Sequence, residues 1–472
     1  MPRRSSLRAL TGALLLVTCA ACTSGSDSTE DGSAAKAGAA GIGDPLFPQQ
    51  GNGGYDVTHY GLTLDYEPEG NRLKATAEIT ARATGPISSF NLDFAGLRVR
   101  ETTVDGNPAK FSRSGTELTV TPESSLSKGR IFKTTVRYDG SPKTIADPDG
   151  SMEGWIETKD GDGAVALGQP NGSMAWFPGN HHPSDKAAYD IDVTVPKGYT
   201  AVSNGDLKSH EKTGKRETFE WQSPEPMASY LATVAVGSFE FTETTTDTGI
   251  RQYNAIDYDE LDDSADVNAF VSELLDWQSK RFGPYPFATT GVIIDHAPEI
   301  EYALETQTKP FFDRAPDKQL MVHEFAHQWF GNSVTPRTWK DVWLNEGFAT
   351  YAEWLWEEDH GKRTTDETFE DFWNGDDDES EGIWDFPPGN PPSADRVLDA
   401  PVYGRAAMVL HKLRRAVGDD TFFGIVRAWT KDHRHGVADT KQFIELCEKK
   451  SGKDLGKLFD TWLYGDGKPE KP

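Results

Sequence analysis

Cysteine is almost missing from this chain. Of its three cysteines, Cys19 and Cys22 lie in the first 22 residues and only Cys447 lies beyond them. Once a leader is removed no intramolecular disulfide can form, so the body must be held by core packing, with a bound metal as the other available brace. Basic residues are the minority charge: 48 Lys and Arg face 75 Asp and Glu, a net of −27. That deficit excludes a nucleic-acid partner, because little here could neutralise phosphates. Long apolar runs are scarce too, and the most apolar stretch, "ALTGALLLVTCAA", has signal-peptide rather than membrane-spanning length. Aromatics are plentiful: 13 Trp, 24 Phe and 14 Tyr among 472 residues supply packed cores, and the length suggests two or three domains.

Arg3, Arg4 and Arg8 precede the apolar run, which closes on Ala20 and Ala21 just before Cys22. A Ser-, Gly-, Ala- and Asp-rich stretch follows, so residues 1–22 read as a signal peptide and 23–44 as a flexible tether. The junction resembles a bacterial lipoprotein signal, which implies lipidation at Cys22 and a place on the extracellular face of the cell membrane. Cys19, with Leu16 three residues before it, is the other acceptor, and an ordinary cleaved leader would give a secreted protein instead. On each reading the chain is exported and meets membrane only through an N-terminal lipid.

Residues 45–245 show short alternating runs such as "YGLTLDY", "LKATAEITARA" and "YDIDVTVP", punctuated by Gly, Pro, Asn and Asp. This pattern predicts an all-β domain, an antiparallel sandwich or a twisted saddle. The period then changes. Residues 246–472 predict a mostly helical domain with a small sheet: helices over "SADVNAFVSELLDWQSKRF", "KQLMVHEFAHQWFG", "DVWLNEGFATYAEWLWEEDHG" and "VYGRAAMVLHKLRRAVG", and a strand over "TTGVIID". The chain is thus α+β and multidomain. "EIEYALETQT", residues 299–308, reads as a short strand, and the acidic "GDDDESEG" as a solvated loop.

"HEFAH" places His323 and His327 four apart on one helical face, able to converge on one ion, with Glu324 beside them to take a proton from water. A catalytic zinc needs a third protein ligand. Glu346, set among Trp343, Leu344, Phe348 and Tyr351, must point inward, and a buried carboxylate needs a cation. Gly331 and Pro336 break the chain between, so the second helix can fold back and present Glu346. Glu353, seven residues on, is placed to orient a ligating histidine. His181 and His182 read as loop structure.

The stretch "MVHEFAHQWFGNSVTPRTWKDVWLNEGFATYAEW" resembles the zinc-binding segment of the aminopeptidase N family, the gluzincins that include leukotriene hydrolase. The resemblance covers roughly residues 50–465. It implies a thermolysin-like zinc peptidase domain behind an N-terminal β domain, one zinc per chain and peptide substrates, without the extra C-terminal helical domain of many members; a monomer is the expectation, though the sequence leaves oligomeric state open. It further implies Glu324 as general base and Tyr403, in "PVYGRAAMVLHKLR", as the donor to the developing oxyanion, with Arg405 and Ala406 where the family has Lys and Gly. "YALET" aligns with Gly-x-Met-Glu-Asn and implies Glu305 as anchor for the substrate's α-amine, with Tyr302 and Thr306 replacing the usual Gly and Asn. "GQPNGSMAWFPGNHHPSDK" implies Gln169 as the second amine contact. A zinc endopeptidase of the same fold and a non-catalytic peptide-binding surface lipoprotein are the alternatives.

Overall fold

A computed structural model describes residues 34–158 and 163–470, so the leader, with Cys19 and Cys22, lies outside the described residues. The chain divides between Ala34 and Ala35, and everything below concerns the body from Ala35 onward.

The first half is built on three sheets. The largest has eight strands, in the order Asp206–Thr213, Arg216–Ala228, Lys186–Pro196, Tyr55–Glu67, Arg72–Ala83, Ile131–Gly140, Arg98–Val104 and Asn107–Pro108. Alternation explains it: along Tyr55–Glu67 the buried residues are Tyr55, Val57, Tyr60, Leu62, Leu64 and Tyr66, with a register shift between Val57 and His59 that keeps the apolar set inward. Pairing is antiparallel except where Lys186–Pro196 runs parallel to Tyr55–Glu67, so the sheet is mixed rather than wholly antiparallel as the sequence suggests. A five-stranded sheet contains Met152–Glu157, Ala164–Leu167 and Val234–Gly237, its Met152 carbonyl accepting from Tyr302 of the second half, and a four-stranded sheet includes Ile87–Asp93 and Glu117–Thr121.

The tether reading of residues 23–44 fails at its C-terminal end. Lys36–Ala37 pairs in parallel with Ile87–Asp93, and the buried Asp44 carboxylate accepts from the Trp339 backbone N–H at 3.0 Å and lies 3.2 Å from His182 Nε2. Local composition could not foresee a partner nearly three hundred residues away. The domain boundary also moves, because Phe239–Thr245 pairs with Arg251–Asp257 in a four-stranded sheet with Thr289–Ile294 and Phe311–Phe312.

The second half carries eight helices among the described residues: α1 (Val267–Phe282), α2 (Lys318–Ala326), α3 (Trp343–Asp359), α4 (Thr365–Asn374), α5 (Gly404–Val417), α6 (Asp419–Asp432), α7 (Thr440–Ser451) and α8 (Gly456–Trp462). Helix α2 is shorter than the sequence predicts. It opens where Asp317 caps the Leu320 N–H at 2.9 Å and closes on His327, after which Gly331, at φ +121°, turns the chain toward α3. Helix α3 is buried on every side from Trp343 to Glu357, which leaves its polar residues no solvent to face. Residues 299–308 form no strand. Only Leu304 pairs, with Phe311, so the expected strand edge beside Glu305 is a loop.

Candidate metal centre and cleft

Helices α2 and α3 pack together so that three side chains meet. His323 Nε2 lies 3.5 Å from Glu346 Oε2, His327 Nε2 lies 3.3 Å from the same oxygen, and the three ligand atoms sit within 4.8 Å of one another. Each ring is fixed through its other nitrogen. His323 Nδ1 is 2.6 Å from Glu353 Oε1, and His327 Nδ1 is 3.1 Å from the Phe330 carbonyl oxygen. Both Nε2 atoms are therefore presented to one point, and two imidazoles with a carboxylate form a donor set that zinc accepts.

The electrostatics point the same way. Burial would pull both imidazole pKa values down, yet the carboxylates of Glu346, Glu353 and Glu305 outweigh it and push them up. Burial would raise Glu346, and the two histidines bring it down instead. In each case a buried carboxylate cage is asking for positive charge. Glu324 Oε2 is buried and has no hydrogen-bond partner, and burial, partly offset by the histidines, raises its carboxyl pKa to about 7.

The residues line one cleft of about 850 Å³. Glu305 and Gln169 stand together at one part of it, Gln169 Nε2 donating to Glu305 Oε1 at 3.2 Å across the two halves. Ligand atoms of Glu305, Glu324 and His327 also fall within 4.8 Å of one another. Tyr403 enters the cleft at the start of α5, its ring stacked near His323 with centroids 6.1 Å apart. Burial, then Glu346, Glu305 and Glu324, push its hydroxyl pKa well above the usual phenol value. Tyr302 lines the cleft and donates to the Met152 carbonyl oxygen at 2.9 Å.

All the site residues named from sequence within the described chain thus gather here: His323, Glu324, His327, Glu346, Glu353, Glu305, Gln169 and Tyr403. Cys22 lies outside the described residues. His181 and His182 are structural, bonded to the Phe177 carbonyl at 3.0 Å and to Ser184 Oγ at 2.7 Å. Arg405 is buried and donates to the carbonyls of Trp462, Phe386 and Gly465.

Gln319 and Glu379 are among the cleft residues that escape a sequence reading. Gln319 Nε2 donates to Glu353 Oε2 at 2.9 Å, and its place four residues before His323, on the same helical face, is the signal that could have found it. Glu379, in the acidic stretch that reads as a solvated loop, lines the cleft, two residues after Asp377, which accepts from Arg363 at 3.0 Å. No local pattern signals that.

Comparison with known proteins agrees with this geometry. Residues 56–231 match the peptidase M1 N-terminal domain and residues 299–462 the peptidase family M1 domain. Aminopeptidase M1 of Arabidopsis thaliana is 29% identical over 334 residues, 65% of this chain and 37% of that protein. Tricorn protease-interacting factor F2 of Thermoplasma acidophilum is 26% identical over 443 residues, 88% of this chain and 54% of the other. The chain spans roughly half or less of the length of these relatives. An M1 zinc metallopeptidase from Deinococcus radiodurans superposes with a TM-score of 0.83 at 28% identity, covering 92% of this chain and 98% of that one. A mutant of that enzyme bound to a Tyr-Ser-Ala substrate gives 0.84 at 27% identity, covering 92% and 99%.

Proposed function

Because the chain belongs to the peptidase M1 family, we propose that it is a zinc-dependent aminopeptidase that hydrolyses the first peptide bond of peptides bearing a free α-amine. One observation carries the exopeptidase reading: Glu305 offers a carboxylate oxygen within 4.8 Å of His327's ligand atom. A substrate's α-nitrogen and its first carbonyl carbon are separated by only two bonds of about 1.5 Å each. An ammonium held by Glu305 therefore leaves room for a single residue before the reacting carbonyl, and an endopeptidase needs more.

His323, His327 and Glu346 would hold the zinc, with Glu353 and the Phe330 carbonyl steadying the two rings. Zinc supplies Lewis acidity there, making water a nucleophile near neutral pH and drawing charge off a carbonyl oxygen. The unpartnered Oε2 of Glu324 is free to take a proton from water and pass it to the leaving amine. Tyr403 keeps its proton at any working pH and can donate to the oxygen that gains charge. Gln169, by donating to Glu305 through Nε2, keeps its Oε1 as a further acceptor for the same ammonium.

The leader supports an exported enzyme, tethered by lipid at Cys22 or secreted, that acts on peptides outside the cell. The activity is tested with aminoacyl-chromogenic substrates and their N-acetyl counterparts. Cleavage of the free-amine series alone is expected. Cleavage of the blocked series at an equal rate would replace this reading with an endopeptidase, and no cleavage of either by zinc-loaded protein would favour a binding protein.

A further inference from the structure

The turn that follows α2 is held from the opposite half of the molecule. Lys186 opens the strand Lys186–Pro196, and its Nζ donates to the carbonyl oxygens of Asn332 at 2.8 Å, Ser333 at 2.9 Å and Gly436 at 3.4 Å. An ammonium has three protons, and three carbonyls satisfy it where, among the described residues, no carboxylate is bonded to it. Burial pulls its pKa down to about 7, and hydrogen bonds to the charged form work against that pull.

The same turn supports Glu305. Asn332 Nδ2 donates to the Glu305 carbonyl oxygen at 2.6 Å, and Gln328 Nε2 reaches the same oxygen at 3.4 Å. The Asn332 backbone N–H donates to the His327 carbonyl at 3.0 Å. One asparagine thus joins Lys186, the metal-ligand turn and the proposed amine anchor. Gln169, the partner of Glu305, belongs to the same β half as Lys186.

We propose that Lys186 is a positioning residue for the α-amine site, its ammonium acting through Asn332 to set where the Glu305 carboxylate stands relative to Gln169 and His327. The proposal rests on the aminopeptidase reading. Lys186→Met keeps the length of the side chain and removes the donors: the Asn332 and Gly436 carbonyls keep Thr335 as a donor, at 3.2 and 3.0 Å, but the Ser333 carbonyl loses its ammonium and the turn is free to shift.

The test is steady-state kinetics at matched zinc content. In Lys186→Met, KM for aminoacyl substrates should rise about tenfold or more, the worth of one charge-assisted hydrogen bond, while kcat per bound zinc stays within about threefold. Two competitive inhibitors separate amine binding from the metal: an aminoacyl hydroxamate, which carries the amine, and acetohydroxamate, which does not. The first should weaken about tenfold more than the second. Unchanged KM, or equal weakening of both inhibitors, would reduce Lys186 to a brace for the fold. If the methionine variant does not fold, Lys186→Arg carries the test: its larger planar guanidinium must fit a buried space shaped round a compact ammonium, so a smaller shift in the same direction is expected, and wild-type values would overturn the proposal. A wild-type enzyme indifferent to the inhibitor's amine would instead sink the aminopeptidase reading, and this inference with it.

Discussion

Glu324 and Glu305 are both buried carboxylates in one cleft, and their surroundings separate their work. The Oε2 of Glu324 has no partner, whereas Glu305 is paired with Gln169 at 3.2 Å. Glu324→Gln should leave zinc content unchanged and lower kcat by about 10²–10⁴, the usual share of a general base. Zinc analysis beside turnover checks it, and a fully active variant would assign the proton transfer elsewhere. Glu305→Ala should act on KM instead, raising it for free-amine substrates by an amount equivalent to about 1.5–3 kcal/mol and leaving zinc content intact. Glu353→Ala belongs to a third kind: with His323 Nδ1 and Gln319 released, zinc affinity should fall about 10–100-fold, read by competition with a chelator.

At the scale of elements, the site depends on how closely α3 and α5 approach. Gly347, next to Glu346, faces Ala406, and a Cβ built there would stand 2.6 Å from the Ala406 Cβ. Gly347→Ala must push α5 away, and α5 begins at the Tyr403 turn. We expect a loss of about 1–3 kcal/mol of stability together with lower turnover. Thermal unfolding and kcat should fall together, and a variant that melts like wild type would mean the helices have slack. Element existence was legible in the sequence because the apolar periods are strong, as along Tyr55–Glu67 and in the buried α3. Element ends were less so: α2 stops at Ala326 because the chain turns at Gly331, while the apolar pattern continues to Phe330. The loop at 299–308 misreads as a strand because alternation alone does not supply a pairing neighbour.

For the whole molecule, residues 35–50 work as a clasp. Asp44 meets Trp339 and His182, and Gln50 accepts from the Trp339 indole while donating to the Pro170 carbonyl at 2.5 Å. A chain starting at Ala35 should melt like the full-length protein. One starting at Pro45 should melt lower, since a buried hydrogen bond to a charged group is worth about 1.5–3 kcal/mol. Equal melting temperatures for the two would return residues 35–44 to the tether.

The sequence by itself determined the proposed ligand triad, the proposed base and the two-part plan, because those rest on short spacings: four residues along a helix, a carboxylate among aromatics, a period that changes once. Local geometry is nearly enough to state them. Only the tertiary structure decided what stands between the halves. Lys186 under Asn332, Asp44 on Trp339 and Tyr302 on Met152 all join residues more than a hundred positions apart. Such contacts leave no period in the sequence, because what selects each partner is the fold that brings it there, and it is across that seam that the proposed amine end of the cleft is assembled.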